Sequence, residues 1–519
     1  MSFARALFTV SGFTMISRIA GFIRDTLTAN FLGAGAMADA FFVAQRLPNL
    51  FRSLFAEGAF SAAFVPLYTE EKEKNGDDAA QDFAALALSS MIAILTPFCV
   101  AVMLAMPWVL RVIAPGFYDE PDKFALAVHY SRITFPYLLF ISITALQSGV
   151  LNARGRFAPG AAAPIMLNIV MIAGLYMTTL FDWNVGETLA WATTISGVTQ
   201  AAWLAISCYR AKAFIPLVWP HMTRACKRLF TQIGPGAVGA GATQINLLLT
   251  TILASMLPTG AVSYLYYADR LNQLPLGIIG IAVATTLLPI LSKHQTNGDD
   301  EKVRHYTSRA IQFCLTLGVP AAIGLGIAAA PIIQTLFEHG RFSADDTAQT
   351  ALALGAYACG IPGFLLAKVF ASRFFAHQDT RTPVKIAITC MVVNISVALL
   401  LLSSMAHVGM ALATSLATWT NAGLLYLALR RRGHRVMDSE LARCLPRLAV
   451  CGAAMAGGTY FAVQELDFFF HGRGFSGEIV GLTLIIGLSC VLYAVLLQLT
   501  GAARLKEMAC RLLKNGSGT

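Results

Sequence analysis

Residues 83–110 read FAALALSSMIAILTPFCVAVMLAMPWVL, with no Asp, Glu, Lys or Arg in the whole stretch. A helix needs about 20 apolar residues to cross a bilayer, so this run has length to spare. It is also far longer than the roughly 10-residue strands of a membrane barrel. Its neighbours repeat the pattern. Of 519 residues, 56% are hydrophobic and 13% charged, and mean hydropathy is +0.63. Soluble chains average about 25% charged residues, which excludes a cytosolic enzyme, a secreted disulfide scaffold and a disordered chain. The expectation is an all-α polytopic membrane protein.

Windows of about twenty residues give fourteen spans, at 8–32, 37–67, 83–110, 127–151, 160–181, 188–208, 232–257, 264–291, 310–335, 348–372, 384–404, 409–429, 445–464 and 479–500. The first carries Arg18, Arg24 and Asp25 and lacks a small-residue cleavage site, so it reads as a retained span. With the N-terminus in the cytoplasm, 27 Lys/Arg fall on the cytoplasmic side, counting both tails and adjoining span ends. Four fall opposite (Arg111, Lys123, Arg341, Arg473) and seven within spans. A missed helix would invert every later loop and destroy that bias, so both termini read as cytoplasmic. The formal charge of +10 is mostly this topology signal and not a nucleic-acid footprint.

The two halves of the chain echo each other. Ala44–Leu50 (AQRLPNL) aligns with Ala268–Leu274 (ADRLNQL) at an offset of 224, as Pro107 does with Pro331 and Pro159 with Pro383. Pro136-Tyr-Leu-Leu139 pairs with Pro362-Gly-Phe-Leu365 at 226. The repeat spans six helices twice. Six is even, so the copies are parallel, an architecture of transporters. The expected organisation is residues 1–224 and 225–440 as two six-helix lobes, with 441–519 adding two helices and a tail.

Charges deep in a membrane cost about 2.5–3.5 kcal/mol each on insertion scales and mark function. The first two spans carry Arg18, Arg24, Asp25, Asp39, Arg46, Arg52 and Glu57, and the eighth carries Asp269 and Arg270, the repeat-mate of Arg46. At 100° per residue, Arg18 and Asp25 share a face to within about 20°. Asp39, Arg46 and Glu57 form another stripe, with Arg24 and Arg52 off both. Carboxylates would thus offset some arginines and leave others for an external anion. Arginine's planar fork suits phosphate or pyrophosphate and stays charged at any depth.

Other chemistry finds no support. The ten cysteines are scattered, with no CxxC and no His/Cys cluster of ligand spacing. No GxxxxGK[ST], GxSxG or HExxH stands in a suitable context. The expectation is a non-enzymatic transporter with no metal, cofactor or ATP site, driven by membrane potential or an ion gradient.

The stretch Arg52-Ser-Leu-Phe-Ala-Glu-Gly-Ala-Phe-Ser-Ala-Ala-Phe-Val-Pro66 strongly resembles the MurJ (MviN) family of bacterial lipid II flippases. So do Ser17-Arg18-Ile-Ala-Gly-Phe-Ile-Arg24-Asp25, Asp39-Ala-Phe-Phe-Val-Ala, Ala114-Pro-Gly-Phe117, Tyr266-Tyr-Ala-Asp-Arg270-Leu and Thr382-Pro-Val-Lys-Ile-Ala387. The resemblance covers essentially the whole chain. It implies the MOP exporter fold, alternating access, and a cationic central cavity for the pyrophosphate-linked headgroup, with the polyprenyl tail in a groove of the last two helices. It also implies a bacterial inner-membrane location, a role in peptidoglycan synthesis and cell shape, and lipid II, membrane lipids and cell-wall synthesis proteins as partners. The family's important residues fall at Arg18, Arg24, Arg52, Arg270 and Asp39, and a basic residue is common at Arg46. Asp25, Glu57 and Asp269 join them from the charge pattern above. Some members hold sodium through an acidic residue on helix seven; residues 232–257 contain Gln244 and Asn246 but no Asp or Glu, so sodium is not carried over. A flippase for another polyprenyl-pyrophosphate glycan and a MATE-like small-molecule exporter remain as alternatives.

The orientation has a direct check. Single cysteines placed near 118–123 or 466–474 should react with an impermeant thiol reagent in intact cells, and those near 212–224 or 432–440 should not. The reverse pattern would invert the topology.

Overall fold

The computed structural model describes residues 3–52, 59–221, 223–470 and 474–502, and among them there is no strand. The first half runs through helices α1 (Phe3–Leu32), α2 (Ala36–Arg52), α3 (Ala59–Leu104), α4 (Met106–Ile113), α5 (Pro121–Thr134), α6 (Tyr137–Ala153), α7 (Ala158–Phe181) and α8 (Val185–Arg210). The second runs through α9 (Arg224–Ser255), α10 (Ala261–Thr296), α11 (Asp300–Ile327), α12 (Ala329–Phe337), α13 (Ala344–Ala358), α14 (Ile361–Ala376), α15 (Arg381–Arg431), α16 (Ser439–Glu465) and α17 (Gly474–Thr500). Each predicted span falls on helix wherever it is described, apart from breaks of one or two residues. Eight helical stretches among the described residues are long and apolar enough to cross a membrane. The longest, Arg381–Arg431, turns at Ala406 (φ 45°, ψ −127°) and so covers two predicted spans.

The breaks follow the prolines. Helix α3 gives way to α4 at Ala105, two residues before Pro107, and α11 to α12 at Ala328, three before Pro331. Helices α5 and α6 part at Phe135–Pro136, and α13 and α14 at Cys359–Gly360, just before Pro362. Proline removes a backbone donor and collides with the preceding turn. The paired breaks lie 223 and 224 residues apart, so the sequence repeat is also a repeat of helix interruptions.

The chain packs as two units, Met1–Ser263 with Gly340–Phe342, and Tyr264–His339 with Ser343 onward. Helix α9 therefore packs with the first unit, although the sequence repeat begins a second copy near residue 225. A buried cluster of the first unit joins α3, α6, α8 and the start of α9 around Phe64, Tyr68, Phe83, Leu146 and Leu204. The second is built on Leu287, Ile311, Leu365, Phe370 and Leu425. There, α16 and α17 pack together through Leu448, Met455 and Tyr493, with Leu315 and Ile323 of α11 against them.

Two glycines of the first unit allow close approach at equivalent repeat positions. A Cβ on Gly116 would collide with the backbone oxygen of Ser255, and one on Gly340 (φ +62°) with Asn30. The Arg341 N–H donates to the Asn30 carbonyl at 2.8 Å. Gly116 and Gly340 are 224 apart in sequence, and their partners nearly so, which makes the exchange self-complementary.

Replacing Gly116 or Gly340 by Ala should lower thermal stability in detergent by about 1–3 kcal/mol, since backbone must shift. Gly35→Ala, where a Cβ meets nothing within 4 Å, should leave it unchanged. Equal stability of all three variants would remove the close-approach argument.

Candidate functional site

Arg24 is the best-defined of the predicted arginines. It sits on α1 with its side chain largely covered, and its Nη2 and Nε donate to Asp25 Oδ1 at 2.7 and 3.1 Å. Nη1 donates to Asn168 Oδ1 of α7 at 3.1 Å, and Asn168 Nδ2 donates onward to the Ser17 carbonyl at 3.0 Å. Asn168 thereby fixes the far end of the guanidinium while clamping α7 to α1. The face-sharing argument paired Asp25 with Arg18; the structure pairs it with Arg24. Seven residues put Arg18 about 10 Å along the axis, whereas the long Arg24 side chain swings sideways to its chain neighbour. Arg18 is exposed on α1.

Helix α2 carries Asp39, Arg46 and Arg52. Arg52 Nε donates to Asn49 Oδ1 one turn back at 3.1 Å. Tyr137 of α6 is buried and within electrostatic reach of both Arg52 and Arg24, so these two arginines are brought to one region. Arg46 Nη1 donates to Thr251 Oγ1 of α9 at 2.8 Å and lines a small hollow with Leu50, Ile113, Leu247 and Leu248. Glu57, predicted on the Asp39–Arg46 stripe, lies outside the described residues.

Asp39 is held apart from the arginines. It is fully buried and pairs with Lys123 Nζ at 3.2 Å, Lys123 being 2% exposed. Its Oδ2 accepts from the Gly260 N–H at 2.8 Å, and Oδ1 from the Ser263 N–H and hydroxyl at 2.9 and 2.6 Å. These amides belong to the first turn of α10, whose orphan donors and positive dipole end suit a carboxylate. Lys123 also meets Thr259 Oγ1 at 3.0 Å, Glu120 Oε1 at 3.6 Å and the Phe117 ring, whose centroid is 4.3 Å away. One carboxylate therefore joins α2, α5 and the α9–α10 connection. Asp39 and Ser263 are also 224 residues apart, so repeat-mates touch each other.

In the second unit the Arg270 guanidinium lies 4.6 Å from the Tyr266 ring centroid, one turn back on α10, and Asp269 Oδ2 accepts from Gln273. The sequence reading missed Lys123, Asn168 and Tyr137. Lys123 was counted as a loop base; its position two residues past Pro121, at a helix start, was the available clue. Asn168 is the one amide in the 160–181 run. No group of three or more His, Cys, Asp or Glu side chains fit to hold a metal occurs among the described residues.

Comparison with known proteins places this arrangement in a family. A family profile described as "Lipid II flippase MurJ" matches residues 28–473. The probable lipid II flippase MurJ of Rhizobium meliloti is 42% identical over 472 residues, 90% of this chain and 88% of that protein. That of Vibrio cholerae is 36% identical over 96% of both chains. Among solved structures, a lipid II flippase MurJ in an inward closed conformation aligns with TM-score 0.77 at 24% identity, over 94% of this chain and 98% of that one. An inward-facing MATE multidrug transporter of the MOP superfamily aligns with TM-score 0.66 at 14% identity, over 82% and 97%. The chain belongs to the lipid II flippase MurJ family, and its fold is that shared by MurJ and the MATE transporters.

The Asp39–Lys123 pair generates a two-sided prediction. Removing one partner of a buried ion pair costs about 3–5 kcal/mol. Lys123→Met should therefore lower the thermal midpoint sharply in detergent, and Asp39→Asn, which keeps an acceptor for α10, should do so by a similar amount. The double variant should recover most of the loss. Additive losses would show that the two charges do not depend on each other.

Proposed function

We propose that this member of the MurJ family carries lipid II from the cytoplasmic to the periplasmic leaflet of the bacterial inner membrane, with arginines binding the pyrophosphate of the headgroup. The observation that supports the headgroup role most is Arg24. A guanidinium braced between Asp25 and Asn168 is pre-oriented, and pre-orientation lowers the entropy lost when an anion is gripped. Arg52, near the same Tyr137, and the exposed Arg18 supply further donors for a ligand with two phosphoryl groups. Arg270 supplies the same chemistry from the second unit. Asp39 acts through structure: it holds the start of α10, the helix that bears Arg270, and does not touch the headgroup.

The relatives are named for lipid II, and a cationic cargo fits poorly with a set of arginines. In this reading the protein is a transporter without catalytic residues, cofactor or nucleotide, and both termini are cytoplasmic. Membrane potential acting on cavity charge supplies the drive, about 2.3 kcal/mol per charge per 100 mV.

The test is complementation of a bacterium depleted of its own lipid II flippase, read by lipid II exposed on the outer leaflet. The wild-type chain should restore exposure. Arg24→Lys keeps the charge but loses the fork, and should reduce exposure at least about tenfold, the cost of one charge-assisted bond. Asn168→Ala should give an intermediate loss. Wild-type function in Arg24→Lys would remove the bidentate role. Failure of the well-expressed wild-type chain would retire lipid II in favour of another polyprenyl-pyrophosphate glycan.

A further inference from the structure

Between α8 and α9 the chain runs Tyr209-Arg-Ala-Lys-Ala-Phe-Ile-Pro-Leu-Val-Trp-Pro-His-Met-Thr-Arg-Ala-Cys-Lys-Arg228. It turns at Lys212 (φ 54°) and then runs without helix to His221. This stretch does not swing out into solvent. Ala213 and Ile215 are buried in the cluster of Phe83, Ala84 and Leu204. The Lys212 carbonyl accepts from Gln81 and Arg154, both at 3.4 Å, and the Val218 N–H donates to Ser89 Oγ at 3.0 Å. Ser89 lies six residues inside the charge-free run 83–110, about 9 Å along its axis. The segment is thus a strap folded back along α3, beside the start of its charge-free run.

Its outer side is apolar and basic. Phe214, Leu217 and Trp219 are 55%, 70% and 88% exposed. Arg210, Lys212, Arg224, Lys227 and Arg228 are exposed as well, and residues 209–228 contain no Asp or Glu. Arg228 is engaged by Glu70 of α3 at 3.0 Å. Pro216 and Pro220 carry no N–H, which removes two donors that a water-poor zone would leave unmet. Tryptophan beside lysine and arginine is the combination favoured at a membrane interface, and apolar insertion plus a polybasic patch makes a two-signal anchor.

We propose that residues 209–228 dock in the membrane interface on anionic lipid headgroups, with Leu217 and Trp219 inserted and Arg210, Lys212, Arg224 and Lys227 over the phosphates. The occupant follows from charge: Arg210, Lys212, Arg224 and Lys227, on a strap that has no acidic residue of its own and lies at the start of a membrane-length apolar run, complement an anionic bilayer. The inference holds whatever the cargo.

The test uses the full chain and its Trp219→Phe variant reconstituted in phosphatidylglycerol-containing and in pure phosphatidylcholine vesicles. The difference between their emission spectra isolates Trp219, which at 88% exposure can be replaced without disturbing the core. In anionic vesicles that signal should be quenched by a spin label at carbon 5 of the acyl chain and protected from iodide. Each base near an anionic surface favours docking about fivefold. Lys212→Gln/Arg224→Gln/Lys227→Gln, or phosphatidylcholine alone, should therefore shift the balance toward iodide by well over fivefold. Iodide quenching of Trp219 in anionic vesicles equal to that in detergent would overturn the docking and leave the strap for a protein partner. Quenching from the lipid side that ignores headgroup charge would overturn the anionic preference.

Discussion

Inside hydrocarbon a backbone amide has no water as an alternative partner, and this constraint organises the whole chain. It explains why every described element is helical and why the interruptions come where they do. A break at Ala105, Ala328, Phe135 or Cys359 frees backbone groups, and each sits beside a proline that had already removed one. The same constraint governs the start of α10. Its unmatched amides would be costly among packed helices, and the Asp39 carboxylate meets two of them while Lys123 balances its charge. Burying an ion pair contributes little net stability. What it contributes here is position: α2, α5 and α10 are joined at one point.

Two kinds of charge therefore share the first two helices. Asp39 is spent internally, on a helix terminus and a lysine. Arg24 is held in orientation by Asp25 and Asn168 among its partners. The distinction is physical, since a fully enclosed carboxylate with four donors around it offers nothing to a ligand, while a braced guanidinium is the form that meets phosphate with least reorganisation. Arg24 and Asp39, treated alike in the sequence, differ in the structure: one is braced and the other is enclosed.

The fold was legible because hydrophobic length is a one-dimensional signal. The repeat was legible because proline leaves a mark in sequence as well as in structure. Pairing was less so. The 100° rule put Asp25 with Arg18, yet rotation alone ignores the reach of a guanidinium, and Arg24 won. Lys123 looked like a loop base because topology counting registers sidedness and not direction; in the structure it turns inward toward Asp39. Asn168 lay hidden in an apolar run, where a lone amide has no pattern to belong to. The division of packing was hidden as well, for α9 follows a repeat boundary in sequence but packs with the helices before it.

The reciprocal contacts of Gly116 and Gly340 bear on how the protein is made. Gly116 rests on Ser255, and Gly340 on Asn30, so neither six-helix copy carries its own complement for these loops. Asn30 emerges early in synthesis and waits some 310 residues for its partner, roughly 15–60 s at ordinary elongation rates. Gly116 waits less than half as long. Insertion of the individual helices can proceed in order, but the final seating of the first ones is deferred until well into the second copy. A short piece of the second sequence copy has thereby become part of the first packing unit, which is finished only after that piece is made.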